Sequence, residues 1–385
     1  MGTLRSKILA VEGVRGIACL MVFLSHLSST FFPSMHTGNP NGVKSNWELF
    51  LHHSPFAFIY SGAAAVGIFF VLSGFILGYA LSEKGDVVEN CTAMFLKRYF
   101  RLMPVALFSS ILAFLIFTFT NVNTAELASW AKNYYIQFPS FIDSIYHGAL
   151  TPFLSGSAPY NWSLWTMKIE LIGSMIVCLL SCVLIRVKYK KTILLICMII
   201  PFFMNIKKGD DVYFASFISG LLIYHFRYNF NKYSLGIIFI IGLYLCGFHS
   251  SSRSYLWFNK IFHVKIDGQA IDNYILFNNI GGFLVVLSAV KSELIGRLFS
   301  VRPLTFMGKL SFSVYAIHQP IMHLTCPLLF NFLVLKDINY ENSALISSVV
   351  TMLVVYISAI PTYKYIDKYS VNLSNLVQRK VMYEN

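Results

Sequence analysis

Charged residues are scarce in this sequence. Only 12% of its 385 residues are Asp, Glu, Lys or Arg, about half the fraction usual in a soluble domain. Hydrophobic residues make up 56% of the chain, and the mean hydropathy is +0.63. So little polar surface cannot coat two or three soluble globules, and the composition also excludes a disordered chain, a disulfide scaffold or a coiled coil. The sequence therefore predicts an all-α fold, a polytopic bundle of transmembrane helices.

Acidic residues and cysteines are also few. The 17 acidic residues stand against 30 Lys and Arg, which gives a formal net charge of +13. Because the basic residues are spread along the chain and form no single patch, nucleic-acid binding is not expected. Six of the seven cysteines lie in apolar runs and are interpreted as small buried hydrophobic residues, whereas Cys91 is placed in a polar loop. No zinc spacing, Walker loop or Rossmann fingerprint is present, and no metal is predicted.

Long apolar runs occur about ten times. A helix needs about 20 residues to cross a bilayer, so the short runs at 192–206 and 212–226 could instead form a re-entrant pair. The first run is too long for a signal peptide and contains Arg15. We predict one transmembrane domain over 1–366 and a short cytoplasmic tail over 367–385. The ten predicted spans are 8–32, 59–82, 103–120, 164–185, 192–206, 212–226, 234–249, 274–290, 310–334 and 343–363.

The distribution of positive charge predicts the orientation. With the N-terminus inside, the inner segments hold more than twice as many Lys and Arg residues as the outer ones. This bias predicts that both termini are cytoplasmic. The long outer loops at 33–58, 121–163 and 250–273 are rich in aromatic residues. They could stack sugar rings, or they could belong to the interfacial aromatic belt.

Ionisable residues inside predicted spans are functional candidates by default. Arg15 and His26 are eleven residues apart, which is three helical turns, so both lie on one face about 16 Å apart along the axis. Arg15 suits a phosphate or carbonyl oxygen, and His26 suits proton transfer. Alternatively, Arg15 extends to the membrane surface and His26 makes a polar contact between helices.

Further ionisable residues occur in the fourth and ninth predicted spans. Glu170 has a predicted depth similar to that of His26 and could support its protonated form. A pair between Glu170 and Lys168 is the structural alternative, although residues two apart on a helix face different directions. His318 could line an acceptor path or bond to neighbouring helices, and His323 is interpreted as structural.

Two further segments are candidates, and the first lies at the predicted cytoplasmic mouth of the bundle. Arg98 and Arg101 are three residues apart and share a helix face, where two guanidinium groups suit phosphates. Ordinary positive-inside anchoring is the alternative. The pair Ser73-Gly74 interrupts an apolar helix and could form either a packing seam or a ligand slot.

Taken together, these segments resemble the acyltransferase-3 family of integral membrane O-acyltransferases. The residues at 11–18 followed by His26 fit the family's Arg-x10-His spacing, with Glu12 in place of the commoner Asp. Four further family motifs have counterparts in the sequence: F-F-x-x-S-G-F, R-x-x-R-L-x-P, W-[ST]-L-x-x-E and, with a weaker match, S-Y-x-x-Y-L-x-H. They match residues 69–75, 98–104, 165–170 and 311–318 in family order, with Met167 and Ala316 each in place of Leu.

The resemblance implies a membrane enzyme that transfers an acyl group, usually acetyl from acetyl-CoA, to a hydroxyl. The implied acceptors are carbohydrates such as bacterial surface polysaccharide or lipopolysaccharide, free or lipid-linked, and the implied location is the bacterial inner membrane. It further implies catalytic roles for His26, Glu170 and Arg15. Donor binding would fall to Arg15, Arg98, Arg101 and Ser73, and acceptor binding to Trp165 and His318.

Direct attack by the acceptor and a covalent acyl-His26 relay are both compatible with these residues. A secondary transporter with His, Glu and Arg at the membrane midplane is the main alternative function. A non-catalytic membrane scaffold is a second alternative, but it leaves Arg15, His26 and Glu170 unexplained.

Overall fold

The computed structural model describes residues 2–82, 85–204, 206–207, 209–226, 230–262, 265–266 and 269–382. The fold is helical, as predicted, apart from a two-residue antiparallel ladder between β1 (Lys265–Ile266) and β2 (Gln269–Ala270). Lys84, Lys208 and Arg227, which contribute to the predicted charge bias, lie outside the described residues.

The α-helices, in chain order, are α1 (Gly2–Phe31), α2 (Ser34–Thr37), α3 (Trp47–His53), α4 (Gly62–Ser82), α5 (Val87–Phe119), α6 (Ser129–Lys132), α7 (Phe141–Ala149), α8 (Thr151–Leu154), α9 (Thr166–Val183), α10 (Lys190–Ile199), α11 (Asp210–His225), α12 (Lys232–Cys246), α13 (Leu256–Ile261), α14 (Asn273–Lys291), α15 (Glu293–Phe299), α16 (Arg302–Val334), α17 (Tyr340–Pro361) and α18 (Lys368–Met382). Short 3-10 helices lie at Pro40–Gly42, Pro55–Tyr60, Trp162–Trp165, Ile200–Phe203 and Arg253–Tyr255, and a π-helix covers Thr362–Asp367.

Every predicted span is largely helical. Within the described residues, six helical segments are long and apolar enough to cross a membrane by length and composition. They are Ile8–Phe31, Gly62–Ser82, Val87–Phe119, Trp162–Val183, Asn273–Lys291 and Tyr340–Met382. The other four predicted spans correspond to α10 with its 3-10 extension, α11, α12 and α16. The total of ten spans and the cytoplasmic placement of both termini stay predictions.

The helix α5 begins earlier than the sequence suggested. The predicted span starts at residue 103, whereas the helix starts at Val87 and continues through Pro104. Placing Cys91 in a polar loop was therefore wrong: it lies in α5, is buried, and its thiol donates to the carbonyl of Cys178 at 3.3 Å. The residues around Cys91 form the first turns of α5. These turns are polar, so their hydrophobic pattern did not distinguish a helix from a loop. All seven cysteines are free thiols.

The chain forms two compact units. The first contains Met1–Val22, His53–Leu96 and Ile169–Lys309. In this unit α4 and α11 approach so closely that only glycine fits between them. A Cβ on Gly74 would lie 1.9 Å from the carbonyl oxygen of Phe217, and one on Gly220 would lie 2.0 Å from that of Val71. The Ser73-Gly74 interruption is thus a packing seam of small residues.

The second unit contains Phe23–His52, Lys97–Lys168 and Leu310–Asn385. Its loop between α2 and α3 is organised by Glu48, which is fully buried. The Glu48 carboxylate accepts backbone N–H bonds from Ser34, Lys44 and Ser45 at 3.2, 2.6 and 2.8 Å. A buried carboxylate needs such donors to offset the loss of water. Part of the first predicted outer loop is therefore ordered by hydrogen bonds to a buried carboxylate.

Candidate functional site

His26 lies in a polar cluster within the second unit. It is part of α1 and only partly buried. Its Nδ1 is 3.0 Å from Nε2 of Gln319 and 3.2 Å from Nε2 of His318, both on α16. Those two residues are each 1% exposed. The other ring nitrogen of His26, Nε2, has no hydrogen-bond partner among the described residues.

His318 is held in a single orientation by the backbone of its own helix. Its Nδ1 lies 2.8 Å from the carbonyl oxygen of Tyr315 and 3.1 Å from that of Val314. Carbonyl oxygens only accept, so Nδ1 of His318 carries a proton. In neutral His318 the lone pair is then on Nε2, which is 3.4 Å from Oγ of Ser163 and faces His26.

A proline in α16 explains why polar groups gather here. Pro320 has no N–H, so the carbonyl of Ala316 one turn earlier loses its helical partner. That carbonyl instead accepts from Oγ of Ser109 at 2.5 Å and from Nδ2 of Asn161 at 2.7 Å. The Asn161 Oδ1 in turn accepts from the backbone N–H of Ser163 at 2.9 Å. Side chains packed against α16 therefore provide the hydrogen bonds that the Ala316 carbonyl cannot make within the helix.

The same backbone N–H fixes the amide of Gln319. Ser163 N is 2.9 Å from Oε1 of Gln319 as well as from Asn161. Because a backbone N–H can only donate, the Gln319 oxygen must face Ser163 and its NH2 group must face His26. The hydroxyl of Tyr315 donates to the Ser163 carbonyl, which holds this segment to α16.

Aromatic rings form one wall of the cluster. The ring centroid of Trp130 lies 5.1 Å from that of His26 and 6.0 Å from that of Trp162. Both tryptophans are only partly buried. His323 stacks on Tyr134 at 3.5 Å with an interplanar angle of 8°. Burial raises the pKa of the Tyr134 phenol, so this residue stays neutral and donates to the carbonyl of Tyr160 at 2.6 Å.

Glu170 and Ser73 meet within the first unit. The Ser73 hydroxyl lies 3.0 and 3.3 Å from the two carboxylate oxygens of Glu170. The family resemblance had assigned Ser73 to donor binding and Glu170 to catalysis. The structure gives the Ser73 hydroxyl a further role, since it holds the Glu170 carboxylate. The proposed Glu170–Lys168 pair is not needed to explain this position.

Arg15 lies on the same continuous helix as His26, as predicted. Its Nη1 is 3.4 Å from Oε1 of Glu12, one turn earlier, and both side chains are partly exposed. Because α1 is helical from Gly2 to Phe31, the eleven-residue spacing places the two side chains on one helix face. The weak contact with Glu12 leaves the guanidinium able to bind an anion.

Arg101 is anchored within the second unit. Its guanidinium lies 2.6 Å from Oδ1 of Asp367 and 2.6 Å from Oγ of Ser370, and it lies over the ring of Phe312 at 5.1 Å. Asp367 is 4% exposed and ends the π-helix, an element found at functional positions more often than elsewhere. Arg98 lies one turn before Arg101 on α5. Their role as a phosphate clamp stays a prediction.

The sequence missed several residues of the cluster. Gln319 directly follows His318 in a predicted span, so a buried amide there was a readable signal. Trp130 and Ser163 carried no such signal, because they reach His26 and Gln319 only through tertiary packing. Trp165 ends the 3-10 helix that precedes α9; its role in acceptor binding stays a prediction. Among the described residues, no group of three or more His, Cys, Asp or Glu side chains is placed to hold a metal.

Comparisons with known proteins identify the family. The acyltransferase-3 model, described as an acyltransferase domain, matches residues 8–363. A search of curated proteins and a search of solved structures each found no match. The match covers nearly the whole chain and contains all five motif segments. It supports an enzyme over a transporter or a scaffold. The chain belongs to the acyltransferase-3 family, and it is a multi-pass membrane protein with acyltransferase activity.

Proposed function

We propose that this enzyme transfers an acetyl group from cytoplasmic acetyl-CoA to a hydroxyl of a carbohydrate. The acceptor would be a bacterial surface polysaccharide such as lipopolysaccharide, and the enzyme would reside in the bacterial inner membrane. The single observation that carries this proposal is the setting of His26. One of its nitrogens faces a buried polar cluster and the other has no partner within the described residues.

His26 would act as the general base. Neutral His26 with its lone pair on Nε2 takes the proton from the acceptor hydroxyl as that oxygen attacks the thioester carbon. The C–S bond breaks, and the imidazolium returns the proton to the departing thiolate. Nε2 of His318 accepts the Nδ1–H of His26, as a carboxylate does in a serine hydrolase triad. A covalent acyl-His26 relay would use the same nitrogen.

Donor binding would rely on cations. The phosphates of acetyl-CoA cannot enter hydrocarbon, so they must be held near the membrane surface. Arg98 and Arg101 share a helix face in α5 and suit this role. Arg15 would meet a more distal polar group of the donor, because it lies on the helix that carries His26. Ser73 would hold the carboxylate of Glu170, to which the family resemblance assigns a catalytic role.

The acceptor would stack on the aromatic wall. Trp130 is the indole ring nearest His26, and sugar rings pack their C–H faces on such rings. Trp162 extends the same surface. A carbohydrate hydroxyl that approaches Nε2 of His26 from this side would have its ring held by Trp130.

The test compares cells that express wild-type protein, His26→Ala or no protein. Acetylation of surface glycans is measured by mass spectrometry and proton NMR, and protein level is measured in membranes. We expect acetylation with wild type only. Normal acetylation by His26→Ala would contradict the role of His26, and identical glycans in all three strains would contradict the acceptor class.

A matched control uses another buried histidine of the same unit. His323→Phe replaces one flat ring by another and preserves stacking on Tyr134. We expect this variant to keep acetylation close to wild type. In purified protein reconstituted with radiolabelled acetyl-CoA, flux of solute without CoA release would instead favour a transporter.

A further inference from the structure

Two groups compete for one nitrogen of His26. The NH2 group of Gln319 offers a proton to Nδ1 at 3.0 Å, and Nε2 of His318 offers a lone pair to the same atom at 3.2 Å. Neither neighbour can reverse its role. The backbone N–H of Ser163 fixes the Gln319 amide, and two backbone carbonyls fix the proton of His318. Nδ1 of neutral His26 can satisfy only one of them.

Each choice corresponds to one tautomer of His26. If Nδ1 accepts from Gln319, its proton resides on Nε2, and the nitrogen without a partner is a hydrogen-bond donor. If Nδ1 donates to His318, Nε2 holds the lone pair and can act as a base. In the second case, an N–H of Gln319 points at an N–H of His26 and loses its acceptor, which is costly for a buried amide.

The first tautomer satisfies more of the cluster. Gln319 then donates to His26, and the Ser163 hydroxyl can donate to Nε2 of His318 at 3.4 Å. The Gln319 NH2 group and the Ser163 hydroxyl then each have an acceptor. The neutral enzyme without substrates should therefore hold His26 as the Nε2–H form, which cannot accept a proton at Nε2.

We propose that Gln319 is a positioning residue that controls which ring nitrogen of His26 carries the proton, and that it holds the resting enzyme in the Nε2–H form. The working base is the Nδ1–H form, in which His318 accepts. In the exchange, one proton leaves Nε2 to solvent water and one arrives at Nδ1 from water, so the charge of His26 is unchanged. The link to catalysis rests on the proposed function, but the tautomer itself does not.

The test reads the tautomer directly. Protein labelled with 15N,13C-histidine is reconstituted in lipid bilayers at pH 8.5, where an ordinary imidazole is neutral. Correlation of each ring nitrogen with its neighbouring carbons identifies which nitrogen is protonated, and the spectrum of His26→Gln assigns the His26 signals. We expect Nε2–H in wild type. A His26 signal that shows Nδ1–H in wild type would overturn the proposal.

Two variants test the role of Gln319. Gln319→Glu keeps an oxygen on the Ser163 N–H and replaces the donor by an acceptor, so His26 should convert to Nδ1–H. Gln319→Met removes the donor at similar volume and should shift His26 in the same direction, which protects the test against misfolding of the charged variant. A His26 tautomer that stays Nε2–H in both variants would overturn the proposal.

Kinetics separate this proposal from the proposed function. If the Nδ1–H form is the working base, Gln319→Glu should raise kcat, because less of the enzyme rests in the Nε2–H form, and it should leave the KM for the donor unchanged. A fall of more than tenfold in kcat, with His26 in the Nδ1–H form, would overturn the assignment of that form as the base. Lack of transfer by wild type would defeat the proposed function and leave the NMR result intact.

Discussion

Arg101 and Asp367 form a direct ion pair with Nη2 of the arginine 2.6 Å from Oδ1 of the aspartate. The guanidinium assigned to donor phosphates from the sequence is thus already bound to a nearly buried carboxylate. An arginine with several donor N–H groups can satisfy both partners at once, because its planar fork presents five of them. Substitution at the two positions should separate the roles.

We expect Asp367→Asn to lower stability and Arg101→Ala to lower donor affinity as well. Removal of one partner of a buried ion pair costs about 3–5 kcal/mol, and less where the other partner is partly exposed, as Arg101 is. Thermal unfolding in detergent can detect such a loss. Asp337→Asn is the control, because Asp337 is exposed and has φ of 61°, a conformation that Asn tolerates. If Arg101→Ala left the KM for acyl-CoA unchanged, Arg101 would be a structural anchor only.

Ser73→Ala should reduce the rate of transfer. The variant removes the hydroxyl that holds the Glu170 carboxylate at 3.0 Å. A bond to a charged group contributes about 1.5–3 kcal/mol, so kcat should fall roughly ten- to a hundredfold if Glu170 works in the reaction. Ser348→Ala is the control, since its hydroxyl donates to the carbonyl of Ala344 in its own helix. A rise in donor KM with unchanged kcat would instead assign Ser73 to the donor.

Gly74→Ala should destabilise the first unit. Its new methyl group would meet the carbonyl oxygen of Phe217, and backbone cannot yield as a flexible side chain does. We expect a lower melting temperature and less protein in the membrane. Gly236→Ala is the matched control, because a Cβ there meets nothing within 4 Å and alanine favours a helix by up to about 1 kcal/mol. Equal stability of the two variants would contradict the packing seam.

The stability of the loop that contains α3 should depend on pH through His52. Burial lowers the pKa of His52 below its usual 6.5, although a hydrogen bond to the carbonyl of Met35 opposes the shift. The unfolded chain therefore takes up a proton at higher pH than the folded one does. Stability from neutral His52 is present above about pH 6.5 and is lost as the pH falls below that value.

Thermal unfolding at pH 7.5 and 5.5 provides the measurement. His52→Asn can still donate to Met35 but does not titrate. The melting temperature of wild type should fall further between the two pH values than that of the variant. A parallel decrease in both proteins would assign the pH dependence to other groups.

The sequence predicted the elements better than the contacts. Each predicted span coincides with a helix, because apolar periodicity and length are local properties of the chain. The start of α5 was missed because the turns that include Cys91 are polar enough to resemble a loop. The Arg15–His26 spacing needed only a continuous helix, so it followed from the sequence. Trp130 could not be placed near His26 in the same way, since no local pattern couples residues 104 positions apart.

The contact between Ser73 and Glu170 shows the same limit. Each residue stood out as polar within an apolar run, but the sequence assigned them to different roles because their 97-residue separation hid the hydrogen bond between them. Gln319 was overlooked for another reason. An amide carries no charge, so Gln319 was not selected by the search for ionisable residues inside predicted spans.

The missing proton on the Pro320 nitrogen influences His26 through the carbonyl of Ala316 and three polar residues, Asn161, Ser163 and Gln319. The break frees one carbonyl, that carbonyl recruits Asn161, and Asn161 shares the Ser163 amide with Gln319. Evolution or redesign could therefore retune the imidazole from a backbone position, without altering any surface that an acyl donor or a sugar would meet.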